Sequence, residues 1–131
     1  MIVLDASAVV ELLVNGPGGG QVADEMRRAG SLHAPQLLTA EVAQVSRRLT
    51  LAGAMSVERG EQVLTDLADL PIELYDHRPF LGRVWELRDA VTAYDALYLA
   101  LAEALDAPLL TLDARLARAP GADAVTRVVA P

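Results

Sequence analysis

The chain has no cysteine and no lysine, and only two histidines, one tryptophan and one phenylalanine in 131 residues. Without cysteine there is no disulfide framework, thiol nucleophile or iron–sulfur ligation. Without lysine there is no Walker A lysine, Schiff base or lysine general base. His33 and His77 are too few for a multi-histidine zinc site. The five aromatic residues are too sparse and scattered for a base-stacking platform, and most of them are expected in the core. Long apolar runs are missing too: the longest, residues 96–102, falls far short of the ~20 residues that span a bilayer. The N-terminus opens on a strand-like run broken by Asp5 and Glu11, without a basic leader, and does not read as a signal peptide. A soluble cytoplasmic protein with no membrane partner is expected. There is no basic excess either: 18 acids stand against 11 arginines, for a net charge of −7. That balance weighs at first sight against a nucleic-acid binder, because phosphate binding draws on basic surface.

What is present is helix-forming material between short apolar runs. Alanine (23) and leucine (22) dominate, and both lose little side-chain freedom in a helix. The pattern predicts strands over 2–4, 32–34, 72–75, 108–112 and 126–129. Helices are expected over 8–14 with Ser7 as N-cap, over 21–29 stopped by Gly30, and from Pro35 to about residue 51. Further helices are expected from the Ser56 cap to about 70, from Pro79 to about 89, from the Thr92 cap over 93–105, and over 114–118. The glycine cluster at 16–20 reads as a flexible loop. Strands alternating with helices imply a parallel sheet with helices on both faces. No linker or repeat divides the chain, so residues 1–131 read as one domain.

Four acids stand apart from the solvated helix faces. Asp5 and Asp113 each follow a predicted strand directly, and open parallel sheets bind ligands beyond the carboxyl ends of their strands. Either Asp could equally open a turn or cap a helix. Glu41 lies within or at the border of the apolar stripe of Leu38, Val42, Val45 and Leu49, where a carboxylate is costly unless compensated or able to reach water. Asp95 completes a capping-box-like Thr92-Ala93-Tyr94-Asp95, yet it opens a helix that is apolar all round and therefore buried. Clustered carboxylates repel unless a cation sits among them, and hard oxygen ligands without His or Cys select Mg²⁺ or Mn²⁺. Such ions activate water and stabilise the leaving oxygen of a phosphodiester. The residues alone thus point to a divalent-metal phosphodiesterase or phosphatase.

At this point the sequence resembles a family. Ile2-Val3-Leu4-Asp5-Ala6-Ser7-Ala8 is similar to the first motif of PIN-domain nucleases, and Pro35-x-x-Leu38-x-x-Glu41-Val42 to the second. Thr92-Ala93-Tyr94-Asp95-Ala96-Leu97-Tyr98 resembles the third, and Leu110-Thr111-Leu112-Asp113-Ala114-Arg115-Leu116 the fourth. The compact length is similar to that of VapC-type toxins. The resemblance implies a three-layer α/β/α sandwich with a parallel sheet of about five strands. It implies a Mg²⁺-dependent endoribonuclease, with Mn²⁺ as a substitute, that hydrolyses RNA through metal-activated water. Carried over, Asp5, Glu41, Asp95 and Asp113 are the catalytic acids; Asp5, Asp95 and Asp113 hold metal, and Glu41 orients water or supports the site from behind. Ser7 and Thr111 become candidate hydrogen-bond partners of the pocket. A homodimer and an antitoxin that inserts a basic segment are the implied partners.

Rival folds fall on the missing lysine. A haloacid-dehalogenase-type phosphatase and a phospho-accepting receiver domain both require one, and the glycine cluster lacks the Lys-Ser/Thr of a P-loop. An inactive PIN-like interaction module and another metal-dependent phosphatase or phosphodiesterase remain as alternatives. For RNA contacts, Arg27-Arg28 and Arg47-Arg48 are candidates, with ordinary exposed helix positions as the other reading.

Overall fold

The run Ile2–Leu4 is too short to hide its side chains as a helix, and in a computed structural model it forms a fully buried strand, β1. The structure describes residues 1–119 and 126–128. The order continues with α1 (Ala6–Leu13), α2 (Gly19–Ala29), β2 (Leu32–Pro35), α3 (Leu37–Leu51), α4 (Val57–Asp69) and β3 (Ile72–Tyr75). A single 3-10 turn (Arg78–Phe80) leads into α5 (Leu81–Glu86), then α6 (Ala93–Leu105), β4 (Leu109–Thr111), α7 (Ala114–Ala117) and β5 (Thr126–Val128).

All strand pairs are parallel, in the order β3-β2-β1-β4-β5. The chain builds outward from β1 to β3 and then returns to place β4 on the other side of β1. The strand order therefore reverses between β1 and β4, and a crevice opens beyond their carboxyl ends. Helices flank the sheet. α1 packs on α2 and α3, and α3 on α4; α6 packs on α5 and lies against β1, β2 and β4. The expected α/β architecture is the one observed.

The core follows from the same sequence features. Seven consecutive residues of α6, Ala96 to Ala102, are buried, as an all-round apolar helix requires. Leu4, Leu38, Leu99, Leu101, Leu109 and Leu110 are among its largest fully buried side chains. Both histidines are spent on structure. His33 Nδ1 meets the Tyr75 hydroxyl at 2.8 Å and its Nε2 meets Ser31 Oγ at 2.9 Å, linking β2 to β3. His77 Nε2 accepts the free Leu37 N–H at the start of α3 (3.0 Å), a helix whose own N-cap residue, Gln36, offers no side-chain cap.

Several boundaries differ from expectation, and the glycine cluster expected as a loop is helical at Gly19 and Gly20, where α2 begins two residues before the expected Gln21. Pro35 ends β2 rather than opening α3, and its fixed φ also suits the end of an extended segment. Residues 79–89 do not form one helix; the 3-10 turn and the six-residue α5 are followed by a turn over 87–90. α1 begins at Ala6, one residue before the expected Ser7 cap, because Asp5 takes the capping role. Val129, the expected end of the last strand, lies outside the described residues.

The α3–α4 contact depends on a missing side chain. A Cβ on buried Gly60 would sit 2.6 Å from Thr50 Oγ1 and 3.3 Å from Ser46 Oγ, which donates to the Gly60 carbonyl at 3.1 Å. Alanine in a helix interior ordinarily gains about 1 kcal/mol over glycine. Overpacking costs about 1–3 kcal/mol and should win here. Gly60→Ala should therefore lower the urea midpoint, and adding Thr50→Ala should recover much of the loss. A midpoint raised by Gly60→Ala alone would show that the two helices have slack.

Candidate active site

Asp5 is the N-cap of α1 and stands at the carboxyl end of β1, on one side of the strand-order reversal. It is 6% exposed. Its Oδ1 accepts the Ala8 N–H at 3.0 Å and the Ser7 hydroxyl at 2.6 Å. Its Oδ2 accepts the hydroxyl of Thr111, the fully buried last residue of β4. Ser7 is thus not the cap; its Oγ accepts the Leu112 N–H at 2.9 Å while donating to Asp5. Thr111 Oγ1 in turn accepts the Asp113 N–H at 2.9 Å. One hydroxyl from each side of the crevice therefore ties β1 to β4 through a single carboxylate. All of these donors are neutral. Burial pushes the Asp5 carboxyl up from its ordinary range despite the hydrogen bonds, and the charge of Asp113 adds to the rise.

Asp113 caps α7 by accepting the Arg115 N–H at 2.9 Å. The Arg115 guanidinium also grips both of its oxygens, with Nε at 3.3 Å from Oδ1 and an Nη at 3.2 Å from Oδ2. That side-chain pairing holds Asp113 below the usual carboxylate range. Asp95 lies in the first turn of α6, whose cap is Thr92 as expected, the Asp95 N–H donating to Thr92 Oγ1 at 3.2 Å. Partial burial, and then the charge of Asp113, push its carboxyl up. Glu41, half-buried on α3 between Leu38 and Val42, accepts the hydroxyl of buried Tyr98 at 2.6 Å.

Electrostatics gather the four acids at one end of the sheet. Asp113 acts on both Asp5 and Asp95, and the Tyr98 hydroxyl, raised chiefly by its own burial, also feels Glu41, Asp5 and Asp95. Among the described residues, however, no three His, Cys, Asp or Glu side chains close into a ready-made metal cage. Asp113 is turned onto Arg115 instead. The donor set nevertheless suits a hard divalent cation: every candidate ligand is a carboxylate oxygen, and Asp5 is buried with no cationic partner among the described residues.

The sequence signature of the PIN domain matches residues 2–122. Ribonuclease VapC12 of Mycobacterium tuberculosis is 39% identical over 130 residues, covering 99% of this chain and 100% of that protein. Ribonuclease VapC1 of the same organism is 44% identical over 120 residues, or 91% of this chain and 90% of that one. The chain belongs to the VapC family of PIN-domain proteins. Solved structures agree on the fold. VapBC2 from Rickettsia felis, bound to a DNA fragment from its promoter, gives a TM-score of 0.73 at 16% identity over 99% of this chain and 100% of that one. PAE2754 from Pyrobaculum aerophilum gives 0.70 at 18% identity over 95% of this chain and 81% of that one.

Sequence reasoning did not single out two features of this VapC-family chain. Tyr98 passed for one more core residue of α6, and only the three-dimensional approach of α3 shows its hydroxyl on Glu41. Arginines 88, 115 and 118 line a cleft of about 730 Å³ together with Asp95 and Asp113. The arginines named as candidate RNA contacts lie elsewhere: Arg27 and Arg28 pair with Asp24 and Glu25 on α2, and Arg47 and Arg48 are on α3. Nor are the aromatics all core. Trp85 is 68% exposed and Tyr94 61%.

The raised Asp5 carboxyl makes a stability prediction for the metal-free protein. A folded-state value above the unfolded one favours folding at pH below the ordinary carboxylate range, and that contribution is lost as pH rises through the raised value. Metal-free Asp5→Asn should therefore melt above the wild type at pH 7, with the gap closing toward pH 4. An equal or lower melting temperature at pH 7 would mean that the hydrogen bonds outweigh the buried charge.

Proposed function

We propose that this protein is a Mg²⁺-dependent endoribonuclease, with Mn²⁺ as a substitute, and that it acts as the toxin of a toxin–antitoxin pair. The observation that carries the reading is the buried Asp5 carboxylate at the β1–β4 reversal, held by neutral donors and facing Asp113 across the crevice. The ribonuclease names of relatives about 40% identical over nearly the whole chain support it.

Asp5, Asp95 and Asp113 would hold the cation, with Asp113 released from Arg115. When bound, such an ion supplies Lewis acidity toward a water molecule and offsets charge at the phosphodiester. The chain's own residues supply the framework. Ser7, Thr111 and the Ala8 N–H fix the Asp5 oxygens so that they need no reorganisation. Glu41 offers a carboxylate that can orient water or take its proton, and Tyr98 fixes one of its oxygens.

The partner reading follows from charge. A crevice rich in carboxylates on a chain of net charge −7 suits an antitoxin segment bearing arginine or lysine. The VapBC2 structure from Rickettsia felis, which shares the fold, supports an antitoxin partner. The homodimer belongs to the same reading, and Leu81 and Trp85, one turn apart on α5, give it exposed apolar material.

Purified protein should cleave single-stranded RNA with Mg²⁺ or Mn²⁺ and stop on addition of EDTA. Asp5→Asn should reduce the rate at least about a hundredfold, the scale for losing a preorganised electrostatic group. Tyr98→Phe should cost about tenfold or less, because it frees Glu41 without removing it. Cleavage by Asp5→Asn at the wild-type rate would sink the nuclease assignment. Expression alone should arrest growth, and a small protein with a basic segment encoded beside it should relieve the arrest.

A further inference from the structure

The cleft that contains Asp95 and Asp113 is bounded by two walls of different origin. One is the segment after α5, which contributes Arg88 and Asp89; the other is α7 and the residue after it, which contribute Arg115 and Arg118. Three arginines thus face three aspartates in one cavity of about 730 Å³. The arginines are not equally committed. Arg115 is tied to Asp113. Arg88 donates to the Trp85 carbonyl at 2.9 Å and lies over the Trp85 ring at 4.9 Å, which orients it without neutralising it. Arg118 is exposed, and among the described residues it pairs with no carboxylate. Several other arginines are spent: Arg27, Arg28, Arg78 and Arg83 sit in ion pairs, and Arg59 donates to the Leu13 carbonyl at 2.5 Å.

We propose that Arg88, Arg118 and, once released from Asp113, Arg115 form a phosphate-binding track that lays the backbone of a single RNA strand across Asp95 and Asp113. The inference rests on the ribonuclease reading above. Charge and geometry select a phosphate backbone as the occupant. Guanidinium forks match phosphate oxygens bidentately, and here the three arginines line the same cleft as Asp95 and Asp113, two of the carboxylates proposed to hold the metal. Without a cation the arginines only balance the aspartates, so the cleft is close to neutral. A divalent ion on Asp95 and Asp113 tips it positive and frees the Arg115 guanidinium, so the site attracts RNA when it is loaded. These three are positioning residues; the acids remain the candidate catalytic residues. The polar character of the track also accounts for a surface that carries phosphate chemistry on a strongly acidic chain.

The test is a salt titration on a fluorescent single-stranded RNA. Anisotropy in Mg²⁺ on a Glu41→Gln background, which keeps the three proposed metal ligands while impairing cleavage, gives binding; steady-state cleavage in Mg²⁺ with Glu41 intact gives KM and kcat separately. Arg118→Ala and Arg88→Ala are the principal variants, because neither arginine touches a proposed metal ligand. Each should weaken binding and raise KM about fivefold, with a smaller effect on kcat. Each should also flatten the slope of log affinity against log salt by about 0.7, the single-strand value per phosphate contact. The triple variant with Arg115→Ala should flatten it by about two. Arg118→Lys should keep the slope and lose part of the affinity, since it keeps the charge without the fork. A structural role would shift melting temperature but not the salt slope. If wild type binds and cuts RNA while Arg88→Ala and Arg118→Ala keep its slope and KM, the track is wrong. The same holds if Arg27→Ala and Arg28→Ala flatten the slope instead. If wild type neither binds nor cuts RNA, the ribonuclease reading falls and the track falls with it.

Discussion

The arrangement at this end of the sheet depends on one carboxylate placed where two strands part. Asp5 follows three fully buried residues, so the chain carries it into the protein interior before the helix begins. Burying a charge is tolerable only with hydrogen bonds or a counter-ion. The first requirement is met locally by the Ala8 N–H and Ser7, and across the sheet by Thr111. The second is not met by any described residue. The result is a hydrogen-bonded carboxylate with no cationic side chain beside it among the described residues. Folding and function make opposite demands on it: the same oxygens cap α1, tie β1 to β4, and leave a local excess of negative charge.

The other acids acquire meaning through that position. Parallel pairing puts Thr111 beside the end of β1, so Asp113 arrives across the crevice from Asp5 without any long-range sequence signal. α6 packs against β1, β2 and β4, which brings its N-terminal turn and Asp95 to the same end. Tyr98, one turn further along, reaches α3 and holds Glu41. Four acids drawn from four separate stretches of sequence thus share one field. The field is partly compensated at its outer edge, where Arg115 covers Asp113, and uncompensated at its buried end.

Much of this was legible because short buried strands and capped helices carry strong local signals. The strand over 72–75, the Ser56 and Thr92 caps and the all-apolar α6 emerged as expected. The failures share a cause: one residue type can satisfy two local rules, and only packing chooses between them. Ser7 fits an N-cap, but α1 starts at Ala6, which puts Ser7 inside the helix and leaves Asp5 immediately before it to accept the Ala8 N–H. Pro35 fits the first turn of a helix and the end of a strand alike, and pairing of β2 with β3 decides for the strand. The acids could be picked out, the aspartates with a turn or capping alternative and Glu41 with a solvent-reaching one, because carboxylates at strand ends and in apolar stripes are conspicuous. For Asp5, Asp95 and Asp113 a place at a helix start does not exclude the functional reading, since each also lies at the crevice end of the sheet. Tyr98 and the cleft arginines carry no such local mark. Arginine is an ordinary surface residue in sequence, and only the convergence of residue 88 with residues 115 and 118 distinguishes these three from the rest.

The net charge of −7 illustrates why composition misleads about partners. The four candidate site acids account for four of those charges, and they lie where a cation is expected rather than on a repelling surface. Most of the described arginines are neutralised by neighbouring carboxylates or hold backbone carbonyls. What an approaching polyanion meets is therefore the local balance of the crevice. Field lines in a low-dielectric cleft depend on the few charges that line it far more than on the sum over the chain. At the Asp95–Asp113 cleft that balance is near zero, and a single divalent ion changes its sign. An acidic chain can thus present an anion-attracting surface conditionally. The same acidity, unfilled, makes the crevice a natural seat for an arginine or lysine side chain. On the proposed reading, RNA and a basic protein segment would be alternative occupants of one site, chosen by whether the carboxylates are compensated by a metal ion or by the segment itself.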